Sequence, residues 1–329
     1  MGLLDGLPAP MRERLHPEPH PDWVSPTLAT LTHDRFSDPN WIYERKFDGE
    51  RCLAFKNGAQ VRLLSRNQLR IDTAYPEIAD ALAGQTVDDV VIDGEIVAAG
   101  DGQFSTLQRR MQLHDPARAR ASGVAVSYAI FDVVHLDGYD TRQLPLRARK
   151  SVLRRALAFG DGLHYTQHRN RDGEALFAEA CERGWEGVIA KHADSTYVGR
   201  RTDQWLKFKC ENRQEFVVGG YTDPAGSRVA LGALLLGYYD GSDFVYAGKV
   251  GTGFGTTELH HLRELLEPLE ESDPPFTHGR VRERNVHWVR PAAVVEVAFS
   301  EWTGDGRLRH PRYIGLRRDK DARQVVREG

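Results

Sequence analysis

Cysteine is scarce in this 329-residue chain: only Cys52, Cys181 and Cys210 occur. No two stand at zinc-knuckle or redox spacing, so neither a disulfide framework nor a cysteine-rich zinc site is expected, and each thiol reads as a small core residue. Long apolar runs are missing as well. The longest, around residues 229–239, is too short to span a bilayer, and residues 1–8 lack the basic start and apolar centre of a secretion signal. The expectation is a cytoplasmic protein with no membrane role. No Gly-rich loop ending in Gly-Lys-Ser/Thr is present, which excludes a P-loop phosphate cradle. No His-Glu-x-x-His pair occurs either, and the histidines, His20 and His135 among them, are scattered and read as surface or hydrogen-bonded residues rather than ligands. An excess of positive charge is also lacking, since 44 Lys and Arg face 47 Asp and Glu for a net charge of -3. That balance is unlike a typical nucleic-acid binder. The average conceals clusters: basic residues crowd 51–70, 191–213 and 307–320, and acidic ones 264–273, which allows a basic face with an acidic back.

What is present fits a soluble chain of two ordinary domains, with 40% hydrophobic and 28% charged residues and no low-complexity block. Prolines repeatedly interrupt residues 1–40, which read as an irregular lead-in, with regular structure beginning near Trp41. Strands are expected at 41–47, 51–56 and 61–65, joined by hairpin turns at Asp48-Gly49 and Asn57-Gly58. A helix over 76–82 precedes strands at 87–92 and 95–98, on either side of a turn at Asp93-Gly94, and a buried strand at 125–134. Helical patterns at 146–157 and 173–183, the latter stopped by Gly184, lead to strands at 187–191 and 205–209. Residues 210–214 are the preferred boundary. Beyond them, short strands at 215–221, 233–239, 244–250 and 294–299 with one helix at 256–267 suggest a small β-barrel such as an OB-fold.

Five segments carry chemistry-bearing side chains. In Glu44-Arg45-Lys46-Phe47-Asp48-Gly49-Glu50-Arg51, strand alternation puts Glu44 and Lys46 on one face, and a lysine so placed can act as a nucleophile once deprotonated. Asp93-Gly94-Glu95 and Phe131-Asp132 set carboxylates beside apolar strands, where they must be solvated, paired or bound to a cation. Glu186 and Lys191 bracket a short strand, and in Trp205-Leu206-Lys207-Phe208-Lys209 the two lysines share a face. Each segment alone reads equally well as ordinary solvated surface. Together they suit phosphate chemistry, with lysines for phosphate oxygens, carboxylates for Mg²⁺ and an aromatic face for a base.

The order of these segments resembles the covalent nucleotidyltransferases, and within them the ATP-dependent DNA ligases, closest to the ligase module of bacterial ligase D. Lys46-Phe47-Asp48-Gly49 resembles the first motif of that family, which implies that Lys46 accepts AMP, with Glu44 and Arg51 lining the nucleotide pocket. Ser65-Arg66-Asn67 is similar to the next, implying a DNA-phosphate role for Arg66. The resemblance further implies metal or ribose contacts for Glu95, base stacking for Phe131, metal coordination for Glu186 and phosphate contacts for Lys191, Lys207 and Lys209. The stretch from Arg309 to Lys320 resembles the last motif, with Arg312 and Lys320 as candidate phosphate ligands.

The implied fold is α+β: residues 1–19 as an irregular segment, 20–211 as an adenylation domain of mixed and antiparallel sheets with flanking helices, and 212–329 as an OB-fold β-barrel. The implied activity is ATP-dependent sealing of nicked duplex DNA in bacterial end joining. Mg²⁺ is the implied ion, with Mn²⁺ as a substitute. The expected protein is monomeric and associates with the nucleoid when bound to DNA. With no residues left for polymerase or phosphoesterase modules, the resemblance also implies a separate end-processing polymerase or nuclease and a Ku ring as partners. Ligation of RNA-containing junctions, GMP transfer to RNA ends and a silent DNA-end scaffold are the competing readings.

Overall fold

The computed structural model describes residues 2–100, 104–224 and 229–328. Contacts divide the chain into two compact units, Met1–Cys210 and Glu211–Gly329. Among the described residues no helix is long and apolar enough to cross a membrane.

In the first unit a seven-stranded sheet and a five-stranded sheet lie face to face. The seven-stranded sheet is built around Glu50–Asn57, Asp89–Ala98 and Val126–Leu136, and every residue of the last strand is buried. Its outer face carries Cys52, Ala54, Ile92, Ile96 and Tyr128, which pack with the helices Pro76–Ala83, Phe104–Met111 and Leu146–Ala156. Its inner face offers Leu53, Phe55 and Val91 to Ile42 and Trp205 of the five-stranded sheet. That second sheet aligns Trp41–Lys46 between His168–Asn170 and Gly187–His192, and then Arg201–Lys209 and Leu28–Leu31. Its far face is covered by the helix Gly173–Glu182. Gly184, at φ 68°, closes that helix as expected.

Four expectations need correction. The lead-in is not wholly irregular: Ala9–Arg12 is a short helix, Leu4 and Leu7 are buried, and Leu28–Leu31 pairs in parallel with Arg201–Lys209. Long-range pairing of this kind leaves no local signature. Asp48-Gly49 is no hairpin turn, because Trp41–Lys46 and Glu50–Asn57 belong to different sheets and the chain crosses between them there. A Cβ on Gly49 would sit 2.2 Å from the Ile96 carbonyl oxygen, so the crossing requires glycine for close backbone approach rather than for a turn. Asp93-Gly94 likewise lies inside one continuous strand, Asp89–Ala98. Finally, Cys181 and Cys210 are joined in a disulfide with Cα atoms 5.3 Å apart, and Cys181 is exposed. The end of the helix Gly173–Glu182 falls beside the end of Arg201–Lys209, a proximity that a sequence separation of 29 hid. Cys52 is buried and unpaired, in line with expectation.

The second unit packs a seven-stranded sheet, the two-stranded ribbon Glu301–Trp302 with Leu308–Arg309, and the helix Thr256–Leu266 around one core. The long strand Asn212–Thr222 pairs with Leu234–Asp240, Val286–Val289 and Val294–Phe299, so it serves both halves of the sheet. This is the OB-fold unit. Among the described residues, pairing does not join its outer strands into a closed ring.

Gly94 tests the corrected strand. A Cβ there would lie 2.5 Å from the Tyr128 ring and 2.6 Å from the Ala129 carbonyl. Gly94→Ala should therefore cost about 3 kcal/mol in urea unfolding through overpacking, whereas a true turn position would tolerate it.

Candidate active site

Strand parity gathers the site. Across the five-stranded sheet the paired rows are Lys46–Gly187–Lys209, Glu44–Ile189–Lys207 and Ile42–Lys191–Trp205. Paired residues project to the same face. Glu44, Lys46, Lys191, Lys207 and Lys209 therefore share one face, while Tyr43, Val188, Ala190 and Phe208 pack against the helix on the other. Toward this charged face the opposite sheet turns Arg51, Asp93 and Glu95, which keep the parity of Leu53 and Val91. Gly187 separates Lys46 from Lys209. It adopts φ 151°, and a Cβ would fall 1.9 Å from the Phe208 carbonyl oxygen, so no side chain fits between the two lysines.

Lys46 ends its strand half-buried, with 20% of its side chain exposed, and its Nζ donates to Glu186 Oε2. Burial by itself lowers the ammonium pKa, but Glu186, by charge and hydrogen bond, and the charges of Asp48 and Glu95 outweigh it and hold Lys46 protonated above the ordinary lysine value. Beneath it, buried Glu44 accepts from Lys150 and, at 2.6 Å, from Lys191. Burial alone would raise the Glu44 carboxyl. The two lysines reverse that and hold it below the usual range. Burial lowers the Lys191 ammonium, against the pull of Glu44 and aided by the like charge of Lys150. Lys191 Nζ also lies 4.2 Å from the centre of the Phe131 ring and 4.1 Å from that of Trp205.

The carboxylates divide into two sets. Asp93, fully buried, takes two hydrogen bonds of 2.6 Å from Arg51 and another of 2.6 Å from the Tyr197 hydroxyl. Asp132, equally buried, is bridged by Arg149 at 2.7 and 2.9 Å. Both are consumed in orienting arginines. Glu95 and Glu186 instead act on Lys46: Glu186, its side chain only 5% exposed, accepts from the ammonium, and Glu95, paired in register with Arg51, adds its charge. Phe131 occupies a β-bulge: Asp93 pairs with Asp132 and Gly94 with Ile130, leaving Phe131 unmatched and turned toward the five-stranded sheet. The Arg51 guanidinium stands 4.7 Å from the centre of its ring.

Arg66 lies in the turn after Gln60–Ser65, at the edge of the seven-stranded sheet. Lys207 and Lys209 are half-buried on the charged face. Arg312 and Lys320 belong to the second unit, where they pair with Glu211 at 3.3 Å and Glu215 at 3.0 Å. Sequence reasoning missed Lys150, Arg149 and Tyr197. A signal for the first two exists, because Leu146, Arg149, Lys150 and Leu153 form one buried helical stripe with two cations in it. Tyr197 carries no comparable signal.

Two stacked sheets with a lysine among carboxylates and further lysines in register, followed by an OB-fold unit, define the class of covalent nucleotidyltransferases. Within that class, the ATP dependent DNA ligase domain matches residues 26–209 and the ATP dependent DNA ligase C terminal region matches residues 227–320. The multifunctional non-homologous end joining protein LigD of Pseudomonas aeruginosa is 38% identical over 94% of this chain and 37% of its own length. The LigD protein of Mycolicibacterium smegmatis is 36% identical over 94% of this chain and 40% of its length. A solved mycobacterial DNA ligase D complexed with ATP and MES superposes with a TM-score of 0.66 at 34% identity, over 93% of this chain and 98% of that one. The chain belongs to the ATP-dependent DNA ligase family. It spans about two fifths of the length of these LigD relatives.

Replacing the shared carboxylate tests the buried cluster. Glu44→Gln leaves two buried lysines without their counter-charge and should lose about 3–5 kcal/mol of stability near neutrality. Because the Glu44 carboxyl is held below its ordinary value, its contribution is present above the unfolded glutamate pKa and is lost as pH falls through the lower folded value. Urea titrations in neutral and acidic buffer should therefore show the gap between variant and wild type narrowing in acid.

Proposed function

We propose that this chain seals nicks between a 5′-phosphate and a 3′-hydroxyl in duplex DNA, with Lys46 as the residue that carries AMP. The observation that carries the reading is the placement of Lys46 at a strand end, paired with Glu186 and in register with Gly187 and Lys209, on a face that also holds Lys191 and Lys207. After losing its proton, Lys46 Nζ attacks the α-phosphorus of ATP, a P–N bond forms and pyrophosphate leaves. The 5′-phosphate of the nick then takes the AMP and frees Lys46. The adjacent 3′-hydroxyl attacks that phosphate, a phosphodiester forms and AMP departs.

The chain's own groups divide this work. Arg51, aimed by Asp93 and Tyr197, and Glu44 with its lysines shape the nucleotide pocket; Phe131 offers its ring to the base. Lys191, Lys207 and Lys209 neutralise phosphate oxygens, whose negative charge must be offset during in-line transfer. Glu95 and Glu186 suit a hard cation, since Mg²⁺ is usually held by one or two carboxylates together with substrate phosphates and water. Mg²⁺ there would supply charge neutralisation and relieve the carboxylate field that keeps Lys46 protonated; Mn²⁺ suits the same oxygen ligands. Arg66 meets the DNA backbone, and Arg312 and Lys320 are the candidate phosphate ligands of the second unit. The likeness to the LigD relatives supports a place in non-homologous end joining, and we extend it to a monomer acting in the cytoplasm with Ku and an end-processing polymerase or nuclease as candidate partners.

Lys46→Ala should form no lysyl-AMP while still closing a nick that already bears 5′-AMP. Retention of the first step by this variant would remove Lys46 from its role. The logarithm of the affinity for nicked duplex should fall linearly with the logarithm of salt concentration, and the affinity should vary little with sequence; a flat salt response in equilibrium binding would contradict the phosphate contacts.

A further inference from the structure

On the edge of the first unit away from Lys46, three side chains converge that the proposed chemistry does not use. His20 Nδ1 lies 2.7 Å from the Asp89 carboxylate, and His135 Nε2 lies 3.0 Å from it. One ligand atom from each of the three residues lies within 4.8 Å of the other two. The rings of His20 and His135 meet edge to face with centroids 5.5 Å apart. Asp89 begins its strand, so the six residues to Glu95 carry the chain about 20 Å along the sheet.

The other side of His135 supplies an independent observation. Its ring is fully buried, and its Nδ1 has no hydrogen-bond partner among the described residues; Glu18 Oε2, 3.9 Å away, is buried and equally without one. Glu18 Oε1 is already engaged by Arg142 at 3.1 Å. A carboxylate facing the far nitrogen of a histidine is the outer-sphere arrangement that fixes a metal-binding imidazole in its tautomer. Hydrogen bonding to Asp89 alone gives Glu18 Oε2 no reason to be there.

We propose that His20, Asp89 and His135 form a structural site for a divalent transition-metal ion of the Zn²⁺ class, with Glu18 orienting His135. Two imidazoles and a carboxylate match the preferences of Zn²⁺ and leave a fourth position for water. Bonds of about 2.0–2.1 Å in tetrahedral geometry place ligand atoms about 3.3 Å apart, so binding requires the two hydrogen-bonded contacts to open by a few tenths of an ångström and the imidazole nitrogens, now within 4.8 Å of each other, to draw together. His20, on the lead-in segment, is the ligand free to give, since Asp89 and His135 are fixed in adjacent sheet strands. The ion staples the lead-in to the seven-stranded sheet. Seven residues beyond His20, the Thr27 carbonyl accepts from Arg51 at 3.1 Å, so the staple also fixes the segment that supports the nucleotide pocket.

The full chain, stripped of metal and titrated with Zn²⁺ without nucleotide, should bind one equivalent and gain thermal stability. A chain carrying Glu95→Gln and Glu186→Gln should retain that equivalent, which separates the site from the one near Lys46. Adding His20→Gln should abolish it, and Glu18→Gln should weaken it by about 10- to 100-fold. X-ray absorption at the zinc edge of the wild-type chain gives a readout independent of any variant's folding, and should report two imidazoles with oxygen ligands. No Zn²⁺ bound by folded wild-type protein, equal binding after His20→Gln, or sulfur in the coordination sphere would overturn the proposal.

Discussion

A single carboxylate held between two buried lysines is the constraint on which the first unit depends. Glu44 sits on the strand Trp41–Lys46 of the five-stranded sheet; Lys150 reaches it from the helix Leu146–Ala156 and Lys191 from the neighbouring central strand. The cluster carries one positive charge in excess where water is scarce. Such a surplus is costly in a protein interior unless an anion completes it, and in the proposed function a nucleotide phosphate is that anion. The same contacts tie helix to sheet, so fold and binding chemistry rest on one set of charges.

The remaining charges follow a consistent division. Asp93 and Asp132, fully buried, are bound to Arg51 and Arg149 and serve to aim cations. Glu95 and Glu186 act on Lys46 instead, Glu186 from a side chain only 5% exposed, and their field with that of Asp48 holds Lys46 protonated. In the proposed reaction, Lys46 loses its proton only once positive charge offsets that field, so its activation would depend on the nucleotide and its cation. Charge placement thereby separates storage of the nucleophile from its use.

Much of this was legible in the sequence because strand alternation is a short-range rule. The shared face of Glu44 and Lys46 and that of Lys207 and Lys209 follow from spacing alone, and the buried strand expected at 125–134 from its apolar, β-branched run is found at 126–136. Contacts set by tertiary pairing were not legible. Asp48-Gly49 and Asp93-Gly94 look like turns, yet one crosses between sheets and the other continues a strand, because their glycines answer to a neighbouring backbone or ring rather than to local curvature. The bulge that reorients Phe131 comes from a register shift, and the Cys181–Cys210 pairing from the meeting of a helix end with a strand end. His20 and His135 read as scattered for the same reason, being 115 positions apart in the chain and neighbours only across the folded sheet edge.

The central claim is that Lys46 stores AMP and surrenders it to a nick. Its most direct test is the intact mass of the protein after incubation with magnesium and either ATP or GTP, with peptide mapping before and after addition of a 5′-phosphorylated nicked duplex. The account predicts an AMP adduct from ATP alone, on Lys46, that disappears as the nick closes. An adduct on another residue, a GMP adduct in its place, or no adduct on protein shown to be free of AMP beforehand would contradict it.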